Sequence, residues 1–280
     1  MQVITRIITL GLSLLYVFAT QAQQINSGIA TYQTKTTLDM DNWNRGGQMS
    51  EQQKKQIAER MKNRLEKTFT LSFNKDASTY AEVEKLETPG NGGGGGRWGN
   101  FSQGAIYKDI SADQYVREND LMGKLFLVQD SLPKLEWKLE KESKMIGQYA
   151  AFKATATRKI EDNPWEGMRN IRQREQDSSA AENRPIEETI VAWYTPQIPV
   201  SQGPGEYYGL PGLILEVNAG RTVILCNKIV LNPEESVDIK KPSKGKEVSR
   251  KEYEAVVAEK TKEMAERFQG GRGGFGGRRN

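Results

Sequence analysis

The sequence predicts an α+β chain, mainly antiparallel β, with one β-rich domain and two amphipathic helices. Three observations carry this. Short runs of alternating apolar and polar residues recur along most of the chain and are separated by polar turns, the pattern of half-buried antiparallel strands. Two capping boxes each precede apolar residues spaced by about one helical turn. Several segments lack the composition of a core, so the folding body is smaller than 280 residues suggests.

In order along the chain, Ser27 to Leu38 is a Thr-rich alternating run and reads as the first strand. Ser50 with Gln53 forms a capping box, and Ile57, Met61 and Leu65 lay a narrow apolar stripe along the helix that follows. Thr68 to Phe73 places Phe69, Leu71 and Phe73 on one side of a strand, with Thr79 to Glu84 as its hairpin partner. Residues 90–100 form a glycine-rich loop. Gly94, Gly96 and Gly99 satisfy GxGxxG formally, but no apolar strand precedes them and no helix follows, so no nucleotide cofactor is expected. A second series of strands covers Ile106 to Ile110, Gln114 to Arg117, Lys124 to Val128, Leu135 to Ser143 and Tyr149 to Arg158. Residues 163–185 are polar and charged, an extended insertion within the domain. Strands resume at Thr189 to Tyr194, Leu213 to Val217 and Arg221 to Leu231. Ser249 with Glu252 then opens a C-terminal helix on which Tyr253, Val256, Val257, Met264 and Phe268 recur.

Both ends differ from the body. Arg6 precedes an apolar run from Ile7 to Ala19, and Ala22 closes it before a polar stretch. That run is shorter than the roughly 20 apolar residues a membrane-spanning helix needs. Residues 1–22 therefore read as a secretory signal peptide, with cleavage after Ala22, no transmembrane helix after cleavage, and a product exported to the periplasm or beyond the cell. The domain is expected over 23–268. Residues 269–280 form a Gly/Arg tail that cannot make a core. Loss of Arg6 takes the formal charge from +4 to +3, much of it in this tail. The tail resembles Arg-Gly repeats that bind RNA, but an exported chain meets anionic envelope surfaces instead, and no nucleic-acid partner is expected.

The composition excludes much chemistry. The chain has no histidine, which rules out Ser-His-Asp and Cys-His sites and the HExxH zinc helix. Its single cysteine, Cys226, allows no intrachain disulfide and reads as a buried thiol. Ser131-Leu132-Pro133-Lys134 matches SxxK, yet it falls in a turn between strands, without SDN or KTG. Asp39, Asp41 and Asn42 offer alternate oxygens but lack the glycine and distal glutamate of a calcium loop. No catalytic residue, cofactor or metal site is assigned.

One stretch is distinctive. Trp193-Tyr194-Thr195-Pro196 leads through Pro199 and Pro204 to Tyr207-Tyr208-Gly209-Leu210-Pro211-Gly212-Leu213-Ile214. The three prolines predict an extended, stiff arm. Pro211 and Gly212 suit the central positions of a type II turn.

On Gly209, Leu210, Pro211, Gly212, Leu213 and Ile214, with Trp193-Tyr194-Thr195, Ile198-Pro199, Gly203-Pro204 and the segment Trp137 to Ala154, the chain resembles the GLPGLI family. These residues cover about the middle half of the mature chain; the glycine loop and the charged insertion depart from the pattern. The resemblance implies an exported bacterial protein without an established activity or catalytic residues. It also implies an antiparallel sheet curled around a helix, similar to the half-barrel of the outer-membrane lipoprotein carrier, and an association with outer-membrane receptors for energised uptake.

The expected function is a non-catalytic binding or carrier role in the cell envelope. Phe69, Leu71, Phe73, Phe126, Tyr149 and Trp193 would line an apolar face for a lipid, a lipopeptide or a hydrophobic partner segment. The alternative is an interaction or scaffold module docking on an outer-membrane receptor or transport complex. A hydrolase working without histidine is a third reading, disfavoured by the missing imidazole.

Overall fold

The structure, a computed structural model, describes residues 27–37, 50–83, 101–160 and 186–270. The expected signal peptide, the Asp39 to Asn42 turn, the 90–100 loop with Trp98, the 163–185 insertion and residues 271–280 lie outside the described residues.

Among the described residues, twelve strands form one sheet: β1 (Ser27–Thr36), β2 (Glu66–Asn74), β3 (Ala77–Glu82), β4 (Phe101–Asp109), β5 (Gln114–Leu121), β6 (Lys124–Asp130), β7 (Lys138–Ile146), β8 (Tyr149–Ile160), β9 (Ile186–Thr195), β10 (Leu213–Ala219), β11 (Thr222–Leu231) and β12 (Lys246–Val248). Two helices join them, α1 (Glu51–Leu65) and α2 (Arg250–Gly270). The spatial order is β12-β6-β5-β4-β3-β2-β1-β11-β10-β9-β8-β7. Neighbours are antiparallel except β12, which runs parallel to β6. Two meanders, β2 to β6 and β7 to β11, are thus joined through β1, which pairs β2 on one side and β11 on the other.

This corrects the expected α+β half-barrel curled around a helix. The sheet is open, with β7 at one end and β12 at the other. Neither helix occupies its centre: α1 meets β1 and β2, and α2 meets β6. The physical reason lies in what covers the inner face. Along β1 to β5, register places Tyr32, Phe69, Tyr80 and Ile106 on one side, with Leu71 and Ala30 beside them. Residues 196–212 supply Ile198 and Val200 to the same buried cluster, so a loop does the work expected of a helix. At the β12 end, Val257 of α2 packs with Leu121, Phe126, Val128 and Val248 in a separate cluster. Across the opposite face, residues 232–245 run past β3 and β5, where Thr79 donates to the Lys240 carbonyl and Lys241 to Gln114.

Both helices start as their sequences dictate. Ser50 accepts from the Gln53 N–H at 3.3 Å while Gln53 accepts from the Ser50 N–H at 3.0 Å. Ser249 and Glu252 repeat the arrangement at 3.2 and 2.7 Å. No helix among the described residues is long and apolar enough to cross a membrane.

Candidate functional site

The distinctive 196–212 segment is neither straight nor extended. Its prolines start turns. Ile198 N–H reaches the Thr195 carbonyl at 3.3 Å, and Tyr207 N–H the Pro204 carbonyl at 3.1 Å. The arm folds back on itself, with Gly209 N–H donating to Ser201 O at 3.0 Å. It then clips onto the start of β10: Leu213 N–H donates to Ile198 O at 2.9 Å and Ile214 N–H to Gln202 O at 3.0 Å. Leu213, Ile214 and Leu215 are all fully buried, so both faces of this strand start are covered.

The Pro211-Gly212 pair makes a tighter turn than type II. Gly212 N–H donates to Leu210 O at 2.8 Å, an i to i+2 bond with proline, whose φ is fixed, at its centre. Glycine is required at 212 by close approach. A Cβ there would lie 2.2 Å from the Thr195 carbonyl oxygen and 2.5 Å from its carbon. Gly209 has φ +91°, a region side-chain-bearing residues avoid.

Five side chains from elsewhere hold the arm and the strand start it clips to. Lys108, on β4 directly opposite Ser78, is 0% exposed. Its ammonium donates to the Gly203 carbonyl at 2.6 Å and the Tyr207 carbonyl at 2.9 Å. Burial lowers its pKa to about 7, an effect partly offset by the nearby Glu206 carboxylate. Beside it, Ser78 donates to the Gln202 side-chain oxygen at 2.7 Å. From β1, the Tyr32 hydroxyl donates to the Ile214 carbonyl at 2.7 Å, and burial holds its pKa well above the ordinary phenol value. Ahead of β7, Trp137 Nε1 donates to the Tyr208 carbonyl at 2.8 Å. Arg158 of β8 adds an ion pair to Glu206 in the arm and another at 2.8 Å to Glu188 of β9. An ion held in a dry site stays there only if bonded, so Lys108 and the arm depend on each other.

The six residues named as a binding face separate. Leu71 and Phe73 are fully buried, while Phe69, Tyr149 and Trp193 pack half-buried against the same cluster as the arm's Ile198 and Val200. Phe69 stacks on Tyr80 with ring centroids 4.7 Å apart. Trp193 carries the Lys144 ammonium 4.2 Å from its ring, and that ammonium also pairs with Glu216 at 2.6 Å. Phe126 stands apart, edge-on to Tyr253 of α2 at 5.5 Å. The motif residues Leu210, Leu213 and Ile214 are buried beneath the arm's own fold.

The anchors Lys108, Ser78 and Gln202 were not singled out from the sequence. One signal pointed to the first: in Ile106-Tyr107-Lys108-Asp109-Ile110 the lysine shares the parity of two isoleucines, so a two-residue period turns it inward.

The chemistry available is limited. Lys108 has no exposure through which a substrate could reach it. The SxxK pair is engaged elsewhere: the Ser131 hydroxyl donates to Asp130 at 3.3 Å, and Lys134 lies 3.9 Å from Asp113. Cys226 is buried, its thiol pushed up to about 12 by burial. Among the described residues, no group of three or more Cys, Asp or Glu could hold a metal ion.

Among the described residues, three of the nine large exposed apolar side chains lie together at the β7–β8 margin, while the others are Val83, Met122, Leu125, and Val223, Leu225 and Val230 on β11. Leu139 stands opposite Ala154, Ser143 opposite Phe152, and Met145 opposite Ala150, which puts Leu139, Met145 and Phe152 on the same side of the sheet. They are 55%, 64% and 37% exposed, and β7 is the end strand. Lys138 and Lys141 are exposed on the same strand.

Fold and site define an open antiparallel-dominated sheet in which residues 209–214 clip an inner cover to β10. Residues 137–216, from Trp137 through the motif to Glu216, match the model of a family described as "Protein of unknown function (Porph_ging)". No curated protein matches the chain. Among solved structures, PNGF-II in the C2 space group is similar at 14% identity with a TM-score of 0.47, over 83% of this chain and 32% of that one. PNGF-II in a second space group gives 13% identity and a TM-score of 0.48, over 84% and 34%. The chain spans about a third of the length of these structures.

Proposed function

We propose that the protein is an exported, non-catalytic docking module of the cell envelope that binds an outer-membrane protein partner through the β7–β8 margin. The observation that carries this reading is the cover on the inner face. Five of the six residues that would line a ligand site lie in or against the cluster that holds Ile198 and Val200, while Leu139 and Met145, with Phe152 beside them, are exposed at the sheet's end. Exposed apolar side chains on an end strand suit a partner that adds contacts along a sheet edge. Export rests on the signal-peptide pattern of residues 1–22, and the envelope role on the resemblance of the 209–214 motif to the GLPGLI family. Carriage of a lipid is the rival reading, because an arm that opened would uncover Leu71 and Phe73.

Site-specific photo-crosslinking in the native host separates the two. A crosslinker at Leu139 or Met145 is expected to give a discrete protein adduct that the same group at Thr157, exposed but one strand inward, does not give. Equal labelling at all three positions, or a lipid adduct at Leu71, would overturn docking at this margin.

A further inference from the structure

We infer that Lys108 is a proton-linked latch for the 196–212 arm: the arm closes over the uncharged amine more tightly than over the ammonium, so acidification loosens the cover on the inner apolar face. The geometry singles out this residue. Among the described residues its nitrogen is the one charged group that is fully buried, and both of its bonds go to arm carbonyls, at Gly203 and Tyr207. In the open arm the amine meets water and keeps an ordinary lysine affinity for protons; in the closed arm burial weakens that affinity, with its midpoint lowered to about 7. The closed form therefore binds fewer protons between that midpoint and the ordinary lysine value. Raising the pH through this window favours closure, and below it the effect levels off.

The groups around Lys108 leave it the window to itself. In the arm, Glu206 is a carboxylate that holds the proton on Lys108 slightly longer, and the Tyr207 phenol is pushed up to about 12 by burial, against the pull of Arg158. Tyr80 of β3 and Tyr115 of β5 are both raised above the ordinary phenol value, first by burial. Arg117 of β5 lies near Tyr115, and Arg158 of β8, paired to Glu188 of β9, stays charged throughout. Cys226 of β11 is pushed up to about 12 by burial, so it does not titrate between about pH 7 and about pH 8.5.

The test is native-state hydrogen exchange on the amides of Gly209 in the arm and Leu213 and Ile214 at the start of β10, whose acceptors all lie in the arm. After correction for intrinsic exchange, their protection is expected to rise about fifteen-fold from about pH 7 to about pH 8.5. Amides of β1 and β2 should show higher protection and no such rise. Lys108→Met should abolish the rise, and because that variant strands two carbonyls, Glu206→Gln supplies a milder one. It should move the Lys108 midpoint, followed by NMR of the side chain, further down. Persistence of the rise in Lys108→Met would overturn the latch. So would a Lys108 midpoint near the ordinary lysine value, or arm amides exchanging only together with β1 and β2.

Discussion

Replacing Gly212 by alanine tests whether the arm is fastened where the structure fastens it. The new Cβ would sit 2.2 Å from the Thr195 oxygen, and all three of its nearest neighbours are backbone atoms of Thr195 and Pro196. A carbon–oxygen contact needs about 3.3 Å, so the chain must separate by about 1.1 Å. The bonds holding that position are Gly212 N–H to Leu210 O at 2.8 Å and Leu213 N–H to Ile198 O at 2.9 Å. A shift of this size loses at least one, at about 1 to 1.5 kcal/mol, on top of about 1 to 3 kcal/mol for overpacking. The expected loss is about 2 to 4.5 kcal/mol, or on the order of 10 °C in Tm for a body of this size. Urea and thermal melts followed by circular dichroism measure it. Gly209→Ala is the control, because its Cβ would meet only Trp137 atoms at 3.9 and 4.0 Å and the variant carries φ strain of about 1 to 2 kcal/mol. A Gly212→Ala protein as stable as the wild type, or less perturbed than Gly209→Ala, would refute the close approach on which this account of the motif rests.

Tyr32→Phe removes the hydroxyl that donates to the buried Ile214 carbonyl and should cost about 1 to 2 kcal/mol in urea denaturation, with the strand order unchanged by NMR. Ser249→Ala deletes the acceptor for the Glu252 N–H and should lower stability by about 1 kcal/mol, with faster amide exchange confined to the first turn of α2. Leu139→Lys combined with Met145→Lys should leave the melt within about 0.5 kcal/mol of wild type, since both side chains are largely in water, yet remove the partner adduct in cells.

Much of the secondary structure was legible because it is locally encoded. Phe69, Leu71 and Phe73 alternate with threonine and serine, and β2 follows; Ser50 and Gln53 dictate where α1 starts. The sheet's order was not legible. β1 pairs with β11, whose partners lie 186 to 203 residues away, and nothing in Ser27 to Thr36 names that neighbour. The half-barrel expectation failed at the cover, since prolines at 196, 199 and 204 were read as stiffening an extended arm, whereas they start the turns that fold it inward. Of the candidate face, the burial of Phe69, Leu71 and Phe73 was legible from parity. That Phe126 belongs to the α2 cluster depends on tertiary packing which spacing does not encode. Lys108 was overlooked because a lysine in a polar strand reads as solvent-facing until its parity with Ile106 and Ile110 is weighed against that habit.

Native mass spectrometry of the protein isolated from its own host tests the central claim most directly, that residues 196–212 cover the inner face in place of a cargo. The account predicts the mass of the mature polypeptide alone, or of the polypeptide with a protein partner that is lost in the Leu139→Lys, Met145→Lys variant. A stoichiometric lipid or lipopeptide, retained in that variant and released when Lys108→Met loosens the arm, would contradict it.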